Sequence, residues 1–247
     1  MQIFIMIAVF GKENFTQACI NDLSKLDKRH QIIIIDNGSD AKSVESIEKL
    51  VVNKNNDYNV ACDFRLFKFS ENKGFGKANN YAYNIARDKL GGADDDLYIF
   101  LNNDIRVKNN KNGWTDLLLE KATNNNLVGP TGGLVDAEYN FVYETEDASK
   151  VINYMSGWCL GALGSVVERI ANEFRDNTYH GIFPDYNLAY FEDTHMSMVA
   201  SKLGIDFNIV ELPLVHFKRT TGKTMNLPEL YIKARGEFLK RIGDKWK

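Results

Sequence analysis

Three short runs in this 247-residue chain carry side chains suited to chemistry at a phosphate. Asn102-Asn103-Asp104 follows the apolar stretch Leu97–Leu101, which reads as a buried strand. It sets one carboxylate and two carboxamides where strand meets loop. Oxygen ligands there suit a hard divalent cation and the phosphates it carries, although the same residues also make an ordinary turn. Phe191-Glu192-Asp193 supplies two adjacent acids at a predicted helix start. Acids in a first turn favour the helix dipole. One of them could also take a proton from an acceptor hydroxyl, the other positioning base or acceptor, and a neighbouring pair raises one pKa. His216 precedes a loop with Lys218, Arg219 and Lys223 among hydroxyls and a glycine. That loop suits phosphate, and an imidazole beside it can ligate a metal. Transfer from a nucleotide diphosphate needs this combination, because the charge growing on the leaving diphosphate must be offset by a cation.

Other runs are read two ways. Asp36, after four isoleucines, could accept from an N–H of a nucleobase; Asp36-Asn37-Gly38-Ser39 is equally strong turn chemistry, with Ser39 or Asp40 capping the next helix. Asn72-Lys73-Gly74-Phe75-Gly76-Lys77 fails the P-loop pattern, since Glu71 stands at its first glycine, and fails the dinucleotide pattern, since Asn79 stands at its third. Its glycines still allow close backbone approach, and Lys73 can offset phosphate charge; a plain loop and helix start is the alternative. Around Trp158, small residues from Gly157 to Gly164 suit tight packing, or Trp158 lines a sugar pocket.

The elements that must hold these runs alternate in the first half. Strands are expected at Ile3–Val9, Ile32–Ile35, Phe64–Phe69 and Leu97–Leu101, with helices at Phe15–Leu26, Val44–Val52 and Ala78–Leu90. This order predicts a mostly parallel α/β sheet with helices on both faces and right-handed crossovers. Ligands of such sheets bind beyond the carboxyl ends of the strands, so the ends of strands two, three and four should converge on one rim. In the second half, helices are expected at Trp114–Ala122, Ala162–Phe174 and Thr194–Leu203 and short strands at Ile205–Val210 and Leu214–Phe217, with a short antiparallel segment somewhere in this half. A last helix runs from about Pro228 to Ile242. No repeat or linker divides the chain, so residues 1–247 are expected to form one domain.

Composition sets limits. A hydrophobic content of 44% and 26% charged residues are those of a globular protein. A net charge of −3 gives no global case for nucleic acid. Cys19, Cys62 and Cys159 lack metal spacing and fit reduced thiols of a cytosol. Ile3–Phe10 lacks the basic region and cleavage site of a signal peptide, and no apolar run is long enough for a bilayer.

Taken in order, Ile33 to Ser39, Asn72 to Asn80, Phe100 to Asp104, Ser156 to Leu160, Tyr190 to Thr194 and Leu214 to His216 resemble glycosyltransferase family 2, of the GT-A (Rossmann-like) fold, and its rhamnosyltransferase-like bacterial members in particular. The match spans about residues 1–220. The resemblance implies that Ala8, Val9, Phe10 and Asp36 hold the nucleoside, with Asp36 on the base, and that Asn72, Lys73, Gly74, Asn79 and Asn103 frame the nucleotide. Asn102-Asn103-Asp104 looks like the family's metal motif, with Asp104 the main ligand, Asn102 a weaker neutral one, and His216 meeting the metal or diphosphate. The ion would be Mn²⁺ or Mg²⁺. Asp193 resembles the family's catalytic base, with Glu192 beside it, in an enzyme that inverts the anomeric centre. Gly157, Trp158 and Lys223 would face sugar or acceptor. Residues 1–110 would be the nucleotide half, 111–225 the acceptor and catalytic half, and 226–247 a terminal helix. The donor implied is a UDP- or dTDP-sugar, and the acceptor a hydroxyl of a glycan or lipid-linked glycan, as in surface polysaccharide synthesis. Relatives often carry another acid two positions after Asp193; here His195 stands there.

Two rivals remain. A sugar-phosphate nucleotidyltransferase shares a similar core, but Gly11-Lys12-Glu13-Asn14 is poor in glycine and cation for its signature loop. A non-catalytic sugar-nucleotide-binding module would be signalled by loss of acids at 104 and 193, and both are present. The terminal helix places Leu230, Ala234, Phe238, Ile242 and Trp246 near one face and basic residues on the rest. It could pack on the core, pair with a second copy in a homodimer, or lie through residues 228–247 on the inner face of an anionic membrane.

Overall fold

A computed structural model describes residues 1–186, 190–217 and 227–245, and the side chains of all of these except 110, 227, 228, 230, 244 and 245. The chain opens as β1 (Ile3–Val9), α1 (Glu13–Leu23), β2 (Gln31–Asn37), α2 (Ala41–Asn55), β3 (Asp63–Phe69), α3 (Phe75–Asn84) with a π-helical turn at Ile85–Lys89, and β4 (Leu97–Asn102). It continues through β5 (Ile105–Val107), α4 (Trp114–Lys121), β6 (Asn126–Gly129), β7 (Gly132–Val135), β8 (Phe141–Thr145), β9 (Tyr154–Met155) and β10 (Cys159–Leu163). The last elements are α5 (Gly164–Ala171), α6 (Glu192–Lys202), β11 (Asp206–Ile209), β12 (Leu214–His216) and α7 (Leu227–Lys245).

The main sheet has seven strands in the order β11-β6-β10-β4-β1-β2-β3. All neighbours pair in parallel except β10, which runs antiparallel to both β4 and β6. The isoleucines of β2 show why the sheet is buried on both sides. Ile32 and Ile34 join a core with α1, α2 and α4 through Cys19, Leu23, Ile47 and Leu118, whereas Ile33 and Ile35 join the opposite core with α3, α5 and α6 through Ala82, Val167 and Met196. The two-residue period of a strand alone produces that division. Each fully buried isoleucine contributes on the order of 1.5–3 kcal/mol.

Two small sheets are added. β5 pairs with β12, and β7 pairs with β8 and β9. The expected helix at Ala162–Phe174 is corrected at its start. Ala162 and Leu163 belong to β10, and the helix α5 begins at Gly164. The small residues that resemble a helix approach serve instead to fit a strand inside the sheet; a Cβ on Gly161 would lie 3.0 Å from Val128 Cγ2.

Helix α7 packs on the rest of the chain. Ala234, Phe238 and Ile242 are buried with Tyr186 and Phe191, so this part of the apolar stripe is covered from within the chain. Leu230 and Trp246, also placed on that face, lie outside the described side chains. Arg241 stacks over the Tyr186 ring at 4.8 Å. Among the described residues, no helix is long and apolar enough to cross a membrane. Cys19, Cys62 and Cys159 are free and buried, and burial pushes the Cys62 thiol up to about 11.

Candidate active site

Strand register brings the expected rim together. Val9 pairs with Asp36, Asn37 with Phe69, and Ala8 with Asn102, so the carboxyl ends of β1, β2, β3 and β4 form one edge. Because β10 is reversed, its beginning reaches that same edge; Asn102 N donates to Trp158 O at 2.8 Å. Side chains lace the loops. Asn37 donates to Asn72 Oδ1 and Gly74 O and accepts from Lys73 N, and Gly11 N donates to Ser39 Oγ. Gly38 sits at φ +83°, and a Cβ there would come 2.4 Å from the Glu71 carbonyl carbon, so only glycine lets the β2 and β3 loops touch.

Asp36 is buried, and both of its readings are visible. One carboxylate oxygen accepts from Ser39 N at 3.2 Å, the turn bond, and Asp40 caps α2 through Ser43 N. The other oxygen, Oδ1, is buried with no hydrogen-bond partner among the described residues. A buried unsatisfied acceptor at the end of a strand is where a ligand donor fits. Asn79 is likewise buried; its amide nitrogen donates to Phe75 O while Oδ1 has no partner among the described residues. Lys73 lies with Nζ 4.9 Å from the centre of the Phe69 ring. Ala8 and Phe10 are half-buried at the rim, but Val9 is fully buried in the core, which leaves only its backbone for a ligand. Asn103 is turned toward α1, where its amide donates to Thr16 Oγ1 at 2.8 Å. That bond anchors the loop after β4.

Asp104, Asn102 and His216 meet. Pairing of β12 with β5 sets His216 opposite Ile105, and Phe217 N donates to Asp104 O. His216 Nε2 lies 3.1 Å from Asp104 Oδ1 and 3.3 Å from Asn102 Nδ2. The indole of Trp158 is stacked under the imidazole, with centroids 4.8 Å apart and planes at 13°. Trp158 is thus a buried support for His216, exposed by only 5%. His216 Nδ1 is buried without a hydrogen-bond partner among the described residues. Among the described residues, no three His, Cys, Asp or Glu side chains gather into a metal cage. One carboxylate, one imidazole and one carboxamide nevertheless fit a divalent ion that leaves its other positions to phosphate oxygens.

Asp193 opens helix α6. Its Oδ2 accepts from Gly157 N at 3.1 Å and its Oδ1 from Thr194 N at 2.8 Å. A Cβ on Gly157 would meet Asp193 Cβ at 3.3 Å and Phe75 Cε1 at 3.7 Å, which places the loops from α3, β10 and α6 side by side. Burial holds the Asp193 carboxyl above its ordinary range, and Glu144 adds to the effect. Burial also pushes Glu192 up to about 8, with Asp193 a lesser cause. Desolvation, more than pairing, tunes both acids. Glu192 is buried, and its Oε1 has no hydrogen-bond partner among the described residues. Just before these acids, Tyr190 (φ 90°) and Phe191 (φ 68°) hold left-handed backbone. Each such residue costs about 1–3 kcal/mol and persists only where packing imposes it.

Asp193 and His216 line one cleft of about 990 Å³, together with Thr194. Its other walls come from β7 and β8 and from Tyr139, Tyr154, Tyr190, Phe191 and Tyr231. The sequence reading missed these aromatic walls, although Tyr139, Phe141 and Tyr143 recur at a spacing of two. Glu192 is not among the lining residues. Lys223 and the cations at 218 and 219 lie outside the described residues.

A sequence profile described as glycosyl transferase family 2 matches residues 4–207. The chain belongs to glycosyl transferase family 2. No curated protein matches it significantly in sequence. Among solved structures, it resembles the mannosyltransferase PcManGT from Pyrobaculum calidifontis in complex with GDP-Man and Mn²⁺, with a TM-score of 0.56 and 10% identity over 84% of this chain. It also resembles S. aureus TarS, with a TM-score of 0.50 and 16% identity over 81% of this chain. The chain spans about 54% of the first of these proteins and 33% of the second. A 4-diphosphocytidyl-2C-methyl-D-erythritol synthase gives a TM-score of 0.50 at 9% identity, covering 90% of this chain and 96% of that one. At these identities the likenesses establish the fold, which this family 2 chain shares with sugar transferases and with a nucleotidyl-transferring class.

Proposed function

We propose that this family 2 chain moves a sugar from a nucleoside diphosphate donor to an acceptor hydroxyl, with inversion and with Asp193 as general base. The carrying observation is that Asp193 and His216 line the same cleft, so a base and a phosphate-facing corner address one space. In the step, the acceptor oxygen bonds to the anomeric carbon, and the bond from that carbon to the diphosphate oxygen breaks with its electron pair. The acceptor proton goes to Asp193. A carboxylate raised by burial takes that proton better than a solvated one. Its two backbone N–H donors fix it in place before the acceptor arrives.

Asp36 Oδ1 is proposed to accept from the nucleobase, with Lys73 and the backbone at Gly74 beside the phosphates. Asp104 and His216, with Asn102 assisting, would hold Mn²⁺ or Mg²⁺. When bound, the ion offsets charge on the departing diphosphate. Residues 1–110 then serve the nucleotide and 111–225 the acceptor. A UDP- or dTDP-sugar and a glycan or lipid-linked glycan are the substrates proposed, and the inner membrane face the setting. Membrane contact by residues 228–247 would not use Ala234, Phe238 and Ile242, because these are buried.

A thermal-shift panel of nucleoside diphosphates and nucleotide sugars, with and without Mn²⁺, tests the reading; a ligand of the native state raises the melting temperature. Turnover should release a nucleoside diphosphate. Pyrophosphate release from a nucleoside triphosphate and a sugar phosphate would replace this reading with nucleotidyl transfer.

A further inference from the structure

The two ionisable members of the proposed metal corner ride on one ribbon. Asp104 immediately precedes β5, and His216 ends β12 opposite Ile105. These strands pair with each other in a sheet of their own, apart from the seven-stranded one. Pairing within the ribbon fixes Asp104 relative to His216. Chain continuity with β4 holds one end of it near the rim; helix α1 orients the rest. This helix follows the end of β1, where Gly11 N is bonded to Ser39 Oγ of the β2 loop. Along its length it grips the ribbon and its flanks. Phe15 lies 5.7 Å from the Phe217 ring, and Thr16 Oγ1 accepts from the Asn103 amide at 2.8 Å. At the far end, the Asp22 carboxylate accepts from Arg106 Nε at 2.6 Å and from Val107 N at 3.1 Å.

Asp22 stands where local physics disfavours it. It is buried, and it lies in the last turn of α1, the end of a helix that repels negative charge. A buried carboxylate persists where it is paired and hydrogen-bonded. Lys25 approaches one oxygen at 3.3 Å, but the shorter contacts come from the ribbon, one from a guanidinium and one from a backbone N–H. Only the Arg106 side of the pair is open to water, so salt screens it less than it screens a surface pair. Departures of this kind from local preference collect at functional sites. We infer that Asp22 is a positioning residue of the metal corner: by seating Arg106 and Val107 on α1, it sets where Asp104 and His216 stand relative to the nucleotide edge. This rests on the transferase reading above and on its metal corner. Asp22 acts through the ribbon and not on the ligand. One helix thereby links the loop after β1, proposed to meet the nucleoside, to the residues proposed to meet the ion.

The test uses the full chain and titration calorimetry with uridine, thymidine and guanosine diphosphates, with and without Mn²⁺, following whichever binds most tightly. The quantity read is the gain in affinity on adding Mn²⁺. Asp22→Asn keeps the shape and an acceptor for Val107 N but removes the charge that seats Arg106. It should lower the gain about fivefold, less than the loss typical of a group bonded directly to a metal ligand, and leave the metal-free affinity within about twofold. Arg106→Gln, on the half-exposed side of the pair, should act in the same direction, and it carries the comparison if melting curves show Asp22→Asn to be unfolded. The double variant should lose no more than Asp22→Asn alone, the signature of one shared contact. A purely structural role would lower the melting temperature and leave the gain unchanged. An unchanged gain in both single variants, losses that add in the double, or an equal fall in affinity with and without Mn²⁺ would overturn the inference. Asp104→Ala, measured alongside, separates the two levels. A gain lost there but intact in Asp22→Asn removes this inference alone. A gain untouched by Asp104→Ala, or none in the parent, removes the metal corner and this inference with it.

Discussion

The Asp193 carboxylate rests on the backbone N–H of Gly157, 3.1 Å away, although 36 residues separate the two in the chain. One oxygen is fixed by a loop leading into β10, and the other by the first turn of its own helix. An acid held this way stays oriented even while burial resists its ionisation. Asp193→Asn preserves the shape and removes the proton acceptor. It should lower kcat by about 10²–10⁴ while leaving nucleoside diphosphate affinity within twofold, as calorimetry and single-turnover assays would show. Full activity in the variant would place the base elsewhere.

Acid should inhibit earlier than a solvated aspartate would allow. Burial raises the Asp193 pKa, so the fraction ionised falls at a higher pH than usual. The profile of kcat/KM is expected to rise with pH through that shifted value and then level. An acid limb at the ordinary aspartate position, or none, would contradict the assignment.

Stability should move in the opposite sense with pH. Glu192 is raised from its ordinary 4.5 to about 8, so between these values the folded chain binds a proton that the unfolded chain has lost. Stability linked to this group is therefore present in full below about 4.5 and declines as pH rises toward 8. Glu192→Gln should flatten that decline. Urea midpoints at pH 5, 6, 7 and 8 for both proteins give the comparison, and parallel curves would refute it.

Removing Asp104 should separate metal from nucleotide. In Asp104→Ala, the gain in nucleoside diphosphate affinity on adding Mn²⁺ is expected to fall at least tenfold, with metal-free affinity little changed. His216→Ala should act in the same direction. Titration calorimetry with and without EDTA measures both, and a metal effect untouched by Asp104→Ala would move the ion to other ligands.

The rim itself depends on Gly38. An alanine there adopts φ +83° unfavourably and drives a Cβ to 2.4 Å from Glu71 backbone. Gly38→Ala should cost about 2–4 kcal/mol in urea unfolding. A loss below 0.5 kcal/mol would mean that the loops can part.

The first half of the fold was legible because its strands are long and apolar. Four isoleucines in a row admit a buried strand and little else, and the polar runs that follow each strand mark the rim. Asp36, Lys73, Asp104, Asp193 and His216 could be singled out because each adjoins such an element. The second half was harder. β6, β7 and β9 have four residues or fewer, too few to display a period. β10 is a central strand made partly of glycine and alanine, residues whose merit lies in their neighbours. Trp158 was open between sugar contact and packing, and its stack under His216 is a contact that no local pattern encodes. Asn103 is bonded to Thr16, a contact across 87 positions that no local pattern encodes. The aromatic cleft walls come from four separate stretches, and the left-handed pair Tyr190–Phe191 is imposed by tertiary packing against residue types that ordinarily avoid it.

The reversal of β10 makes tolerance to insertion asymmetric. In the parallel strands, residues added after the strand enlarge the ligand-facing side and residues added before it extend the far side. For β10 the directions exchange. Lengthening the chain at 156–158 would displace Gly157 from Asp193 and Trp158 from His216, two contacts at once. Lengthening it at the junction with α5 would add material on the side remote from the ligands. Length variation along the lineage of such chains should therefore accumulate after Leu163 and be nearly absent before Cys159, the reverse of the distribution around β2 and β3.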